Sequence, residues 1–286
     1  MNFKSFVQLT RFEHSLMLVL AVLIGQALAL GRLPDAQIAL LASIPPFFIG
    51  LASFAINDYF DVETDKRNKR TDRPLVNRSA TRSEAYYLSL ALFLAGVAIS
   101  FALPQDCYVI ASSFAMAAFL YSLKLKDLPL AGNAYIALTM AVPFVYGSYS
   151  VQVPPETKPA VLVLASIAFV TGLAREIAGD ARDAKGDKAR GSRTLPMVIG
   201  RRNSLVLHSV LYLAAILLSF YPYLYVEGFK GNLGYLAFIA LTDLLVLYSA
   251  LAPLLDPSVK TLKRARNTSL AALGTGLVGF LLGALK

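Results

Sequence analysis

Asn57-Asp58-Tyr59-Phe60-Asp61-Val62-Glu63-Thr64-Asp65 begins where the apolar run 36–56 ends. A second acidic stretch, Asp180-Ala181-Arg182-Asp183-Ala184-Lys185-Gly186-Asp187, begins just past another apolar run, 158–178. Basic residues follow each. Ten of the chain's 18 carboxylates fall in residues 57–84 and 176–187, and the other eight are scattered over the rest. Carboxylates gathered at two places in so apolar a chain call for a compensating cation. Paired Asp clusters fed by Lys and Arg are what chemistry on a metal–diphosphate requires.

The wider composition sets the fold. The chain has 286 residues, 56% hydrophobic and 16% charged, with a mean hydropathy of +0.58. That is too apolar for a soluble domain and predicts an all-α, multi-pass membrane protein. Nine spans are expected, at 14–31, 36–56, 84–103, 105–122, 129–151, 158–178, 203–223, 232–254 and 267–285. Each is about 18 to 23 residues, enough to cross a ~30 Å hydrocarbon core. Lys4, Arg11 and Glu13 precede the first span, and residues 1–13 do not read as a cleavable signal. With no Ser/Gly-rich linker, residues 1–286 are expected to form one membrane domain.

Charge orients the spans. If they are correct, 23 of the 27 Lys and Arg residues lie on one side of the bilayer. Arg32, Lys158, Lys230 and Lys286 lie on the other. The basic side is expected in the cytoplasm, with the N-terminus inside and the C-terminus outside. Both acidic stretches then share the cytoplasmic face. The net charge of +9 is read as topology and attraction to anionic lipid, with the bilayer and not nucleic acid as partner. The single cysteine, Cys107, rules out an internal disulfide and a cysteine-rich metal site. Neither His14 nor His208 reads as a zinc ligand. Asp243 falls inside the eighth span, where a carboxylate must face protein or water.

On a helix continuing from the second span, Asn57, Asp61 and Asp65 are spaced i, i+4, i+8 and share a face, with Asp58 on its shoulder. Asp180, Asp183 and Asp187, at i, i+3, i+7, do the same. Like charges at these spacings repel unless a cation binds them. Hard oxygen ligands suit Mg²⁺, bridged through diphosphate oxygens. These seven are the expected metal ligands, with Asp61 and Asp183 central to catalysis. The cations nearby are expected to hold the leaving diphosphate, whose charge grows as its C–O bond breaks. They are Lys66, Arg67, Arg73, Lys124, Lys126 and Arg193, together with Asn57, Tyr121 and Ser122. Lys126 is expected to act in catalysis as well. Tyr59, Tyr121, Phe144 and Tyr146 are candidates to shield an allylic cation with their ring faces.

These motifs resemble the UbiA superfamily of intramembrane prenyltransferases. The matching elements are Asn57-Asp58-x-x-Asp61-x-x-x-Asp65, Asp180-x-x-Asp183-x-x-x-Asp187, Arg70-x-x-Arg73-Pro74 and Tyr121-Ser122-x-Lys124-x-Lys126. The nine-span layout extends the likeness over essentially the whole chain. The resemblance implies nine helices around a central cavity with a cytoplasmic polar cap. It implies a prenyl diphosphate bound through Mg²⁺ and a prenyl group passed to a small lipid or aromatic acceptor. Tyr121-Ser122-Leu123-Lys124, Gly132-Asn133 and Arg175-Glu176-Ile177 resemble the branch that geranylgeranylates geranylgeranylglyceryl phosphate in archaeal ether-lipid synthesis. Arg70-Thr71-x-Arg73-Pro74 is similar to quinone-pathway members, whose acceptors are of the 4-hydroxybenzoate or naphthoate type. A transporter of an anionic lipid or metabolite is the alternative from another class. Its polar sites would lie near the bilayer midplane.

Overall fold

The computed structural model describes residues 1–67, 69–190 and 193–285, with 185–190 described by backbone alone. Among them the regular structure is helical: α1 Phe3–Thr10, α2 Phe12–Leu30, α3 Ala36–Arg67, α4 Arg82–Ser100, α5 Gln105–Leu123, α6 Ala131–Ser150, α7 Pro159–Arg190, α8 Leu195–Ile199, α9 Arg201–Tyr225, α10 Leu233–Leu255 and α11 Val259–Ala284. Two 3-10 turns, Leu125–Asp127 and Pro155–Thr157, join helices. Helices are the form that satisfies backbone groups in lipid without help from neighbours.

Eight of these helices are long and apolar enough to cross a membrane: α2 to α5, α7 and α9 to α11. The expected fifth span, 129–151, is the 20-residue helix α6, which falls short of that apolarity. The reason lies in its packing. α6 lies against both α2 and α7 and buries Gly132, Asn133, Gly147, Ser148 and Ser150. A helix enclosed by protein need not be greasy all round.

α2, α6, α7, α9, α10 and α11 contact one another in that order, and α11 returns to α2. The ring encloses an apolar cavity of about 160 Å³. α3 packs on α2, and α4 and α5 pack on α3. One end of the ring is sealed by a core that includes Ile24, Phe144, Val161, Phe229, Tyr235 and Phe280.

The α2–α6 seam depends on two glycines. A Cβ on Gly25 would lie 2.2 Å from the Phe144 carbonyl oxygen, and one on Gly147 would lie 2.2 Å from that of Val22. Small residues placed reciprocally let two backbones touch, which is how helices gain packing energy in lipid. The helices run on through Pro45-Pro46 and Pro143. α3 and α7 continue more than ten residues beyond their expected spans, as the i, i+4 reading of the acidic stretches requires.

Candidate active site at the ends of two long helices

The first acidic stretch forms the last turns of α3 and splits into two rows. In one row Asn57 Nδ2 donates to Asp61 Oδ2 at 3.0 Å. The Lys126 ammonium donates to Asp61 Oδ1 at 2.5 Å. Lys126 sits in the 3-10 turn after α5, 65 residues from its partner.

In the other row Asp58, only 2% exposed, is held between two arginines. Arg11 Nη2 donates to Asp58 Oδ1 at 3.1 Å, and Arg73 Nη1 donates to the same oxygen at 3.1 Å. Arg73 Nε also lies 3.9 Å from Asp65 Oδ2. This row ties the N-terminal segment and the 69–81 loop to α3. Arg11 adopts φ 45°, which ends α1 and turns the chain into α2. Burial pushes the Arg11 guanidinium below its usual range, with Arg73 adding to the effect and Asp58 opposing it.

The second stretch extends α7. Asn133 Nδ2, in the first turn of α6, donates to Asp180 Oδ2 at 2.9 Å. Asp183 is 54% exposed, and its carboxylate is gripped by the adjacent Arg182, with Nε at 2.9 Å. The Asp187 side chain lies outside the described residues.

The two stretches meet around α5 and the start of α6. Tyr121, near the end of α5, lies within electrostatic reach of Asp61, Glu176 and Asp180. Its ring stacks on Tyr135 of α6 with centroids 4.9 Å apart. A Cβ on Gly132 would sit 3.1 Å from Lys126 Cα. The turn bearing the Asp61 partner therefore abuts the residue beside the Asp180 partner. A polar cavity of about 170 Å³ opens beside Asp180 and Asp183, lined also by Arg175, Glu176, Arg182 and Arg266.

Other expected site residues lie elsewhere. Lys66 pairs with Glu63 at 3.0 Å on an exposed surface, and Arg67, Lys124 and Arg193 are exposed. The Ser122 hydroxyl donates to the Ala118 carbonyl at 2.9 Å, so its own helix uses it. Among the candidate aromatics, Phe144 lines the apolar cavity. Tyr59 instead packs beneath the Arg82 guanidinium, 5.0 Å from its centroid, and Tyr146 is buried with Val22 and Cys107. Asp243 accepts from Ser219 Oγ at 2.8 Å and lines the same apolar cavity. Glu84 forms a capping box with Thr81 at the start of α4.

Sequence reasoning gave no site role to Arg11, Tyr135 and Arg266, and quoted Arg175 and Glu176 only within a branch resemblance. An arginine and a glutamate inside an otherwise apolar run, at 175 and 176, are the signal that points to two of them. Arg11 and Arg266 carry none, because basic residues flanking spans are common on a cytoplasmic face.

The donor set near the meeting point consists of amide and carboxylate oxygens, suited to a hard cation. Among the described residues no three carboxylate, His or Cys side chains converge tightly enough to hold an ion alone. Mg²⁺ keeps several waters and binds through one or two carboxylates plus substrate phosphate oxygens, ligands of the kind that Asp61 and Asp180 present.

Digeranylgeranylglyceryl phosphate synthase of Archaeoglobus fulgidus is 37% identical over 281 residues, covering 98% of this chain and 95% of that protein. A structure described as giving insights into digeranylgeranylglyceryl phosphate synthase in membranes superposes with a TM-score of 0.80. It shares 27% identity and covers 99% of this chain and 98% of its own. A UbiA homologue from Archaeoglobus fulgidus bound to GPP and Mg²⁺ shares the fold, with a TM-score of 0.65 at 18% identity, over 96% and 99% of the two chains. The sequence profile of the UbiA prenyltransferase family matches residues 18–284, nearly the whole length. The chain belongs to the UbiA prenyltransferase family.

Proposed function

We propose that this chain transfers a geranylgeranyl group from geranylgeranyl diphosphate to the free glycerol hydroxyl of geranylgeranylglyceryl phosphate, forming the second ether of an archaeal lipid. The observation that carries the reading is the end of α7, where Asp180 and Asp183 line a polar cavity that shares Arg175 and Tyr212 with a cavity lined by apolar side chains. The identity to a synthase of that name over nearly the whole chain supports the acceptor.

The reaction breaks the bond between prenyl C1 and the bridging oxygen, and the electron pair leaves with the diphosphate. The acceptor oxygen bonds to C1 and gives up its proton. Asn57, Asp61, Asp180, Asp183 and Asp187 are the residues proposed to hold Mg²⁺–diphosphate. When bound, Mg²⁺ neutralises the leaving charge.

The protein's own groups do the rest. Lys126 orients Asp61, and its ammonium is placed to meet the leaving diphosphate. Asn133 does the orienting for Asp180. Tyr121, backed by Tyr135, offers a ring face to positive charge developing at C1. The ring of six helices takes the isoprenoid tails and excludes water. Asp58 and Asp65, held by Arg11 and Arg73, fix the 69–81 loop over the site. Their part in metal binding is indirect under this reading.

The positive-inside asymmetry of 23 against four basic residues supports a nine-span layout that counts α6 as a crossing. The N-terminus and the polar cap then lie in the cytoplasm and the C-terminus outside. Residues 1–286 form one membrane domain.

The test is a transfer assay in detergent with Mg²⁺ and labelled geranylgeranyl diphosphate. Geranylgeranylglyceryl phosphate and 4-hydroxybenzoate are offered in separate tubes. Product from the glyceryl phosphate, lost with EDTA, is the expected result. Product from the aromatic acid alone would make this a quinone-pathway enzyme. Counterflow across liposomes with no turnover would make it a transporter.

A further inference from the structure

Arg175 lies on α7 five residues before Asp180, about 7.5 Å deeper along the helix at 1.5 Å per residue. It lines the polar cavity and the apolar cavity alike, and among the described residues only Tyr212 does the same. Arg175 stands where the two spaces join.

Among the described residues its guanidinium makes no hydrogen bond and no ion pair. Its charged neighbours are Glu176, Arg266 and Arg182. Glu176 is adjacent in sequence and forms no ion pair with it. Arg182 is committed to Asp183. Arg266, across the cavity on α11, likewise has no side-chain ion pair among the described residues.

The backbone beneath Arg175 is fixed. Nδ1 of the buried His208 lies 2.8 Å from the Ala174 carbonyl oxygen, and Nε2 lies 3.0 Å from that of Ser249. This imidazole ties α7, α9 and α10 together one residue before Arg175.

A half-buried guanidinium with no hydrogen-bonded carboxylate among the described residues, and only the electrostatic attraction of Glu176, has donors free for an anion. Its planar fork matches the oxygens of a phosphate two at a time. The position suits an amphiphile whose tail fills the apolar cavity and whose anionic head sits at the junction. Two phosphate groups enter the reaction proposed above. The diphosphate is assigned to the carboxylate rows through Mg²⁺. The acceptor brings the other, a few bonds from the hydroxyl that reacts, so its site must adjoin the diphosphate. The cavity that holds Asp180 and Asp183 also holds Arg175 and Arg266.

We propose that Arg175, joined by Arg266, anchors the phosphate monoester of the lipid acceptor and selects a phosphorylated acceptor over a neutral one. The inference rests on the prenyl-transfer reading above and adds the residues that read the acceptor's head.

The test compares the full-length protein with R175Q, R175K and R266Q in detergent with Mg²⁺. Each is assayed with geranylgeranylglyceryl phosphate and with geranylgeranylglycerol, the same acceptor without its phosphate. R175Q should raise KM for the phosphorylated acceptor about tenfold or more, the worth of a lost charge-assisted contact. KM for geranylgeranyl diphosphate should stay unchanged. The preference of the unmodified protein for the phosphorylated acceptor should collapse in R175Q and survive in part in R175K. R266Q should move the preference the same way by less.

An unaltered preference in R175Q overturns the assignment, as does a rise in the KM for the diphosphate instead. If R175Q does not yield folded protein, R266Q decides, and an unchanged preference there overturns it. If the unmodified protein prenylates neither glycerol lipid, the function itself falls and the anchor falls with it. That result is distinct from a working enzyme indifferent to Arg175.

Discussion

Asn57 and Asp180 hold the same place in two helices of equal length. Each lies 21 residues after the first residue of a 32-residue helix, Ala36–Arg67 and Pro159–Arg190. At 1.5 Å per residue that is about 32 Å, close to the ~30 Å thickness of a hydrocarbon core. Each helix therefore has enough length before its polar row to cross a hydrocarbon core. The proposed nine-span layout would bring both rows out on one side. Tyr121, near the end of α5, lies within electrostatic reach of both Asp61 and Asp180.

Replacing Asp61 or Asp183 by Ala should lower prenyl transfer by about 10²-fold or more. The fold should persist, because Asp183 is largely exposed and neither residue belongs to the core. Asp61→Ala also leaves Lys126 without its carboxylate. Turnover measured beside a size-exclusion profile checks both halves. Activity within a few-fold of normal in both variants would remove the two-row site.

Arg73 should behave differently. It shares the buried Asp58 with Arg11, and its removal leaves that carboxylate with one partner. Losing one of two charge-assisted contacts to a buried carboxylate costs about 1.5–3 kcal/mol. Arg73→Gln should therefore lower the melting temperature in detergent by several degrees, while Lys66→Gln, on an exposed pair, should leave it unchanged. Equal melting temperatures for the two variants would show that the Asp58 clamp does not hold the 69–81 loop.

Removing divalent metal should stop transfer and leave the fold. Chelation with EDTA should abolish turnover with little change in melting temperature, because the helices pack through apolar and glycine contacts away from the carboxylates. Mg²⁺ with geranylgeranyl diphosphate should then stabilise the protein by about 2.7 kcal/mol at a hundredfold excess over Kd. Stabilisation of the same size by the diphosphate without Mg²⁺ would mean that cations of the protein, and not the carboxylate rows, bind it.

The sequence carries the helices and the polar ends plainly, since apolar length and i, i+4 spacing are local properties. It also carries the equivalence of the two acidic stretches. What it hides is division of labour within a row. Asp58 and Asp61 are three residues apart, yet one is buried between arginines and the other meets a lysine 65 residues on. Such partners come from the 3-10 turn and the N-terminal segment, whose placement depends on tertiary packing. Ser122 illustrates the same limit: a motif hydroxyl is spent on its own helix. The modest apolarity of α6 became intelligible only when its neighbours were known, because a helix walled in by α2 and α7 faces little lipid.

That enclosure leads to a test of the scaffold. Gly147 of α6 touches the backbone of α2, where a Cβ would come 2.2 Å from the Val22 carbonyl oxygen. No side-chain rotation relieves a clash between two backbones, so the helices must part. Gly147→Leu should cost about 1–3 kcal/mol at the least and loosen the wall of the apolar cavity that α6 forms with Met140 and Phe144. Gly274 on α11 is the control, because a Cβ there meets nothing within 4 Å. Gly274→Ala should hold stability or raise it by up to about 1 kcal/mol through helix propensity. Thermal unfolding of the two variants in one detergent separates close packing from propensity. If Gly147→Leu melts with the unmodified protein, the α2–α6 seam is not what closes the ring.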